Sequence, residues 1–81
     1  MSVAVEIEQF IIGDIVAGRG IESIAHDRDL LAEGIIDSLG ITELIAFLQE
    51  KYAIEVDDDD IDAQNFRSID GIAAFVAKKG A

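Results

Sequence analysis

Near the N-terminus, apolar residues fall at Val3, Ile7, Phe10, Ile11 and Ile15, the i, i+4, i+7, i+8 and i+12 positions of a single helical stripe. The spacing predicts a first helix from Ser2 to about Val16. Gly13 inside it costs up to about 1 kcal/mol relative to alanine, and Gly18 with Gly20 end it in a flexible turn. From Arg19 to Asp37 no period persists, yet Ile21, Ile24, Leu30 and Leu31 are too apolar to be left in water. This connection is therefore expected to lie across the bundle. A connection longer than about 12 to 15 residues usually holds short structure of its own or a function, and both are expected here. The strongest pattern comes next: Ile41, Leu44, Ile45, Leu48 and Tyr52 repeat at i, i+3, i+4, i+7 and i+11, which predicts a second helix beginning after Asp37. Asp37 and Ser38 both suit a cap or first turn, and Gly34 supplies the turn that feeds them. Residues 57 to 62 read Asp-Asp-Asp-Asp-Ile-Asp, a loop and one-turn helix pinned by Ile61. The last helix starts near Ser68 as its cap and runs through Ile69, Ile72, Ala73 and Val76. Lys78 and Lys79 complement its negative pole, and Gly80 serves as its stop.

These elements make an all-α protein, a four-helix bundle of three main helices plus one short one, with a long loop between helices one and two. At 81 residues the chain has room for one core, so residues 1–81 are read as a single domain. Hydrophobic residues are 51% of the chain and aromatics only 6%, so the core must be largely aliphatic. Proline and cysteine are both absent, which leaves packed helix faces to carry the fold. Six Lys plus Arg against 17 Asp plus Glu give a net charge of -11, which repels nucleic-acid phosphate and anionic lipid alike. Partners should carry basic patches; nucleic acid and membrane should not be among them. The first residues do not read as a cationic n-region, and no apolar run approaches the roughly 18 residues of a membrane span. A cytoplasmic monomer is expected.

The residue inventory excludes most catalytic chemistry. With one histidine and no cysteine, a transition-metal site of the usual type cannot be assembled. His26 lies beside Asp27 and Arg28 and is read as a solvated surface residue. No GxxxxGK phosphate loop exists. The acidic run invites a calcium reading, but a twelve-residue loop starting at Asp57 puts Asp62 at the glycine position and Ser68 at the final glutamate, and starting at Asp58 puts Ala63 and Ile69 there. Both registers fail, leaving a solvated acidic face with Asp57 or Asp58 as a cap.

What remains is Gly34-Ile35-Ile36-Asp37-Ser38-Leu39-Gly40. Standing alone, a serine at a helix start is most often a cap. Here Ile35 and Ile36 can anchor the turn in the core while Asp37 supplies the capping side chain, which frees the Ser38 hydroxyl to face solvent. A phosphate ester formed on it would sit beside unpaired backbone N–H groups and the positive pole of the helix.

Followed by Glu43-Leu44 and Leu48, this segment resembles the Asp-Ser-Leu attachment motif of acyl and peptidyl carrier proteins. The resemblance extends upstream to Asp29-Leu30-Leu31 and Glu33-Gly34, and downstream to Tyr52-Ala53-Ile54-Glu55-Val56 and Asn65-Phe66-Arg67-Ser68-Ile69. It implies a phosphopantetheine-binding carrier and not an enzyme. A phosphopantetheinyl transferase would use coenzyme A and a divalent metal to join 4′-phosphopantetheine to Ser38, with Asp37 beside it. The missing cysteine then makes sense, because the thiol that holds a thioester comes from the arm.

Between Asp37 and Asp62 stand nine acids against Lys51 alone, eight of the eleven net negative charges. Such a face steers basic partners: the transferase, an acyl- or aminoacyl-activating ligase and downstream transferases. Glu43, about a turn beyond Ser38, is the best polar contact, and Leu39, off the apolar stripe, the best apolar one. Gly40 stands where fatty-acid-synthesis carriers usually have Asp, and Ile35-Ile36 replaces their Gly-Ala approach. The motif therefore looks more like a stand-alone aminoacyl or peptidyl carrier than a fatty-acid or polyketide one, and Gly40 is read as leaving room for the arm. The alternative of a different class is an unmodified acidic helical interaction module in which Ser38 only caps.

Overall fold

A computed structural model describes residues 2–80, apart from the side chain of Ala63. Four α-helices occur among them: α1 (Val3–Phe10), α2 (Ser38–Tyr52), α3 (Ala63–Phe66) and α4 (Ile69–Gly80). A bundle with a long loop between its first two helices is what the periodicity predicts. Each main helix buries its stripe: Ile7 and then Ile11 from the first, Leu44 and Leu48 from α2, and Ile69, Ile72, Phe75 and Val76 from α4, all in one cluster. Burying a side chain of this size contributes about 1.5–3 kcal/mol. With no disulfide to add, this cluster holds the fold.

The first helix departs from a regular continuation. Beyond Phe10 it widens into a π-turn over Ile11–Ile15, with the Val16 N–H donating to Ile11 O at 2.9 Å. One extra residue in the turn rotates the next residues by about 100°, which brings Val16 into the core and leaves Ile15 half-buried at its edge. A strict 3.6 period places Ile15 on the stripe and Val16 off it. Two contacts fix α1 and α2 as antiparallel. The Tyr52 hydroxyl at the end of α2 donates to Glu6 near the start of α1 at 2.5 Å, and Ile15 meets Gly40 at the start of α2. Between them Phe10 stacks on Phe47 with ring centroids 4.2 Å apart.

The long connection does cross the bundle, and its own hydrogen bonds show how. The Ile24 N–H donates to Glu8 on α1 at 3.0 Å, the His26 carbonyl accepts the Asp70 N–H of α4 at 2.9 Å, and the Leu30 N–H donates to Arg67 O at 2.7 Å. Ile24 and Leu30 are buried, while Ile21 and Leu31 are partly so. His26 is not the solvated residue its neighbours suggested. It is half-buried, with Nε2 2.7 Å from Glu8 Oε1. The Ile24 N–H and then His26 hold the Glu8 carboxyl below the usual range, because each stabilises the charged form.

Ile61 does not pin the acidic segment; it is 48% exposed. The segment folds on itself as a turn of 3₁₀ helix over Asp58–Asp60, capped by Asp57. Lys79 Nζ lies 2.6 Å from Asp60 and 3.5 Å from Asp57, and the Asn65 amide donates to Asp60 O at 2.9 Å. The Lys79 ammonium, with the Asp57 N–H, holds the Asp60 carboxyl below its ordinary range. Lys79 thus serves this turn as well as the end of α4, whose last described residue is Gly80. α3 adds a further turn, capped by Asp62.

Candidate functional site

Asp37 is the residue that caps α2. Its backbone is extended (φ -111°, ψ -171°), its side chain accepts the Gly40 N–H at 2.9 Å, and its carbonyl accepts the Ile41 N–H at 2.9 Å. The preceding pair supplies the anchor, with Ile35 and Ile36 both buried. Their N–H groups donate to Leu30 O at 2.9 and 3.2 Å, a reversal made possible by Gly34 at φ 71°.

With the cap supplied by Asp37, Ser38 becomes the first helical residue, and it is exposed. Among the described residues no hydrogen bond engages its hydroxyl, although its carbonyl accepts from Thr42 Oγ1 at 3.0 Å. The backbone N–H groups of Ser38 and Leu39 have no acceptor within the helix. A phosphate ester on this oxygen therefore meets free donors and the positive pole of a 15-residue helix. Those features fit the arm: an accessible alcohol, anion-stabilising surroundings, and no structural duty for the hydroxyl to abandon.

Leu39 is 67% exposed beside the serine, an apolar side chain given to water where nothing in the fold demands it. Glu43, one turn further on, is also exposed. Asp37, Leu39 and Glu43 come together with Gly40, Gly34 and Ile35 around a cleft of about 170 Å³. Its opposite wall is formed by Asp14, Ile15 and Arg19, which sequence reasoning missed. The available signal was Arg19 itself, the only Lys or Arg among the first 27 residues, set between two glycines.

Gly40 does not hold space open for the arm. It is buried, and a Cβ there would lie 3.1 Å from both Ile15 Cγ2 and Ile36 Cγ2. Its bare Cα lets the π-turn close against the start of α2, so its contribution is to packing.

Among the described residues no helix is long and apolar enough to cross a membrane, and no cluster of His, Cys, Asp and Glu forms a metal site.

Comparison with known proteins gives a consistent picture. The family model described as a phosphopantetheine attachment site matches residues 16–76. An acyl carrier protein of Nitratidesulfovibrio vulgaris (strain DSM 19637 / Miyazaki F) is 32% identical over 79 residues, spanning 98% of this chain and 99% of its own. Acyl carrier proteins of Desulforapulum autotrophicum and Chlamydia trachomatis serovar D are 30% and 28% identical over 98% of this chain, and 99% and 97% of theirs.

Proposed function

This chain belongs to the acyl carrier family of phosphopantetheine-attachment proteins, and from that premise we propose that Ser38 is the residue on which its arm is built. Members of the family are carriers acted on by enzymes, and their cofactor is covalently attached 4′-phosphopantetheine. The observation that supports Ser38 is that Asp37 caps α2, leaving the serine hydroxyl exposed and unengaged. The chain contributes a positioned nucleophile: the serine oxygen would attack the pantetheine-bearing phosphorus of coenzyme A, the pyrophosphate bond would break to release 3′,5′-ADP, and the hydroxyl proton would pass to a base that the transferase brings. Once attached, the arm supplies a terminal thiol on which cargo is held as a thioester.

Partners of the family include phosphopantetheinyl transferases and acyl-handling enzymes. For this chain we take Leu39 and Glu43 as its contacts with them. The apolar side chain would seat in a shallow pocket and the carboxylate would meet a basic patch, a combination that favours fast encounter and fast release. One core shared by all four helices supports a single carrier domain, which we read as a cytoplasmic monomer.

The cargo we propose is aminoacyl or peptidyl, resting on Ile35-Ile36 before the motif, Gly40 after it and Asn65-Phe66-Arg67-Ser68-Ile69 downstream. The relatives' shared name favours a second reading, a fatty-acid or polyketide acyl cargo. Purifying the protein from its native cell and identifying the attached group separates the two. For the carrier role, incubation with coenzyme A, magnesium and a broad-specificity transferase should add one phosphopantetheinyl group to the intact mass. Ser38→Ala should remove that gain. An unchanged mass for the parent protein would defeat the assignment and favour an unmodified acidic interaction module.

A further inference from the structure

The cleft beside Ser38 contains a cation that the fold does not use. Arg28, Lys51, Arg67 and Lys79 each form an ion pair with a carboxylate. Arg19 forms none among the described residues, although Asp14, Asp37 and Glu43 line the cleft with it. Its backbone is nonetheless held in place. The Arg19 N–H donates to Val16 O at 3.1 Å, and Gly18 and Gly20 on either side take φ 83° and φ 74°, a conformation that side chains disfavour. The π-turn and the missing Gly40 side chain then bring this wall against the first turn of α2. Three local devices set Arg19, whose side chain pairs with no carboxylate among the described residues, on the rim of a cleft shared with the two chain neighbours of Ser38.

We propose that Arg19 binds the phosphodiester of the arm carried by Ser38, its guanidinium donating to the two non-bridging phosphate oxygens and drawing the first part of the arm along the α1 side of α2. This rests on the reading of Ser38 as the attachment site. A phosphodiester presents one negative charge over two equivalent acceptors, which the planar fork of N–H donors on arginine matches. Ile15, Ile35 and Leu39 give the cleft apolar surface for the branched carbons beyond the phosphate. The three carboxylates around Arg19 disfavour free anions, so the site selects a phosphate that is tethered nearby and present at high effective concentration. Arg19 is a positioning residue: it holds the arm against its own carrier, and a partner enzyme must draw the arm out of the cleft before using its thiol.

The test starts from fully loaded parent protein, Arg19→Gln and Lys78→Gln, the last removing an exposed charge on α4. Loading is confirmed first by intact mass, so that failure to load counts against Ser38 and not against Arg19. The phosphorus resonance and the Arg19 side-chain N–H resonances are then tracked by NMR as salt is raised. On loading, the Arg19 N–H resonances should shift. The phosphorus resonance of Arg19→Gln should differ from that of the parent, the parent should move towards it as salt screens the pair, and Lys78→Gln should overlay the parent. The proposal is overturned if loading leaves the Arg19 resonances unmoved, if phosphorus is indifferent to Arg19→Gln, or if both variants shift it equally.

Discussion

Helices α2 and α4 begin with the same device, set one residue apart relative to their serines. In α2 the cap is Asp37, which accepts the Gly40 N–H at 2.9 Å, and Ser38 occupies the first helical position. In α4 the cap is Ser68, whose hydroxyl accepts the Gly71 N–H at 3.0 Å, and the first helical position belongs to the fully buried Ile69. Ser2 also caps, accepting the Val5 N–H at 3.2 Å. A serine that caps has committed its oxygen to the backbone, while one displaced by a capping aspartate presents it to solvent. On the proposed assignment of the arm to Ser38, the difference between a structural and a reactive serine comes from the identity of one neighbouring residue.

Removing the hydroxyl of the uncommitted serine produces the largest expected effect. Ser38→Ala should abolish loading by the transferase while changing stability by less than about 0.5 kcal/mol; loss of stability without loss of loading would invert the comparison. Next in size is Gly40→Leu, because the close approach of Ile15 and Ile36 leaves no volume for a side chain. Urea unfolding should show a loss of about 2–3 kcal/mol, and a neutral result would mean that the two elements separate easily.

The start of α4 is also held by the His26 carbonyl, and His26 by Glu8. Glu8→Ala should therefore cost about 1.5 kcal/mol at neutral pH and leave loading at α2 intact. Because the folded-state carboxyl lies below its ordinary value, that stability is present above the usual carboxylate range and is lost as pH falls through the lowered value. Parent and variant should converge in strongly acidic solution, and a gap that stays constant down to about pH 3 would contradict the assignment. Ser68→Ala should cost about 1 kcal/mol with full loading. The smallest effect on the fold is expected from Leu39→Ala, under about 0.5 kcal/mol, with slower transfer to partners as its visible consequence.

Residues whose roles are local were legible in the sequence. The capping logic of Asp37, the buried pair Ile35-Ile36 and the stripe of α2 depend on spacing along the chain, and their predicted positions match the structure. Roles set by distant partners were not legible. His26 looked solvated because its neighbours are charged, but Glu8, 18 residues away, takes its ring nitrogen. Gly40 looked like space for a ligand because the side chains that fill it come from Ile15 and Ile36. Ile61 looked like an anchor because nothing local showed that Lys79 and Asn65 hold the segment instead. The widened turn after Phe10 escaped because the apolar spacing of α1 fits a regular helix equally well.

The central claim is that, of the four serines at positions 2, 23, 38 and 68, the arm goes to Ser38 alone, the serine at a helix start that a capping aspartate leaves free. Proteolysis of the loaded protein and then fragmentation mass spectrometry reads the modified residue directly. The added group should be found on Ser38 alone, with Ser2, Ser23, Ser68 and Thr42 unmodified; the group on Ser68, or spread over several hydroxyls, would contradict it.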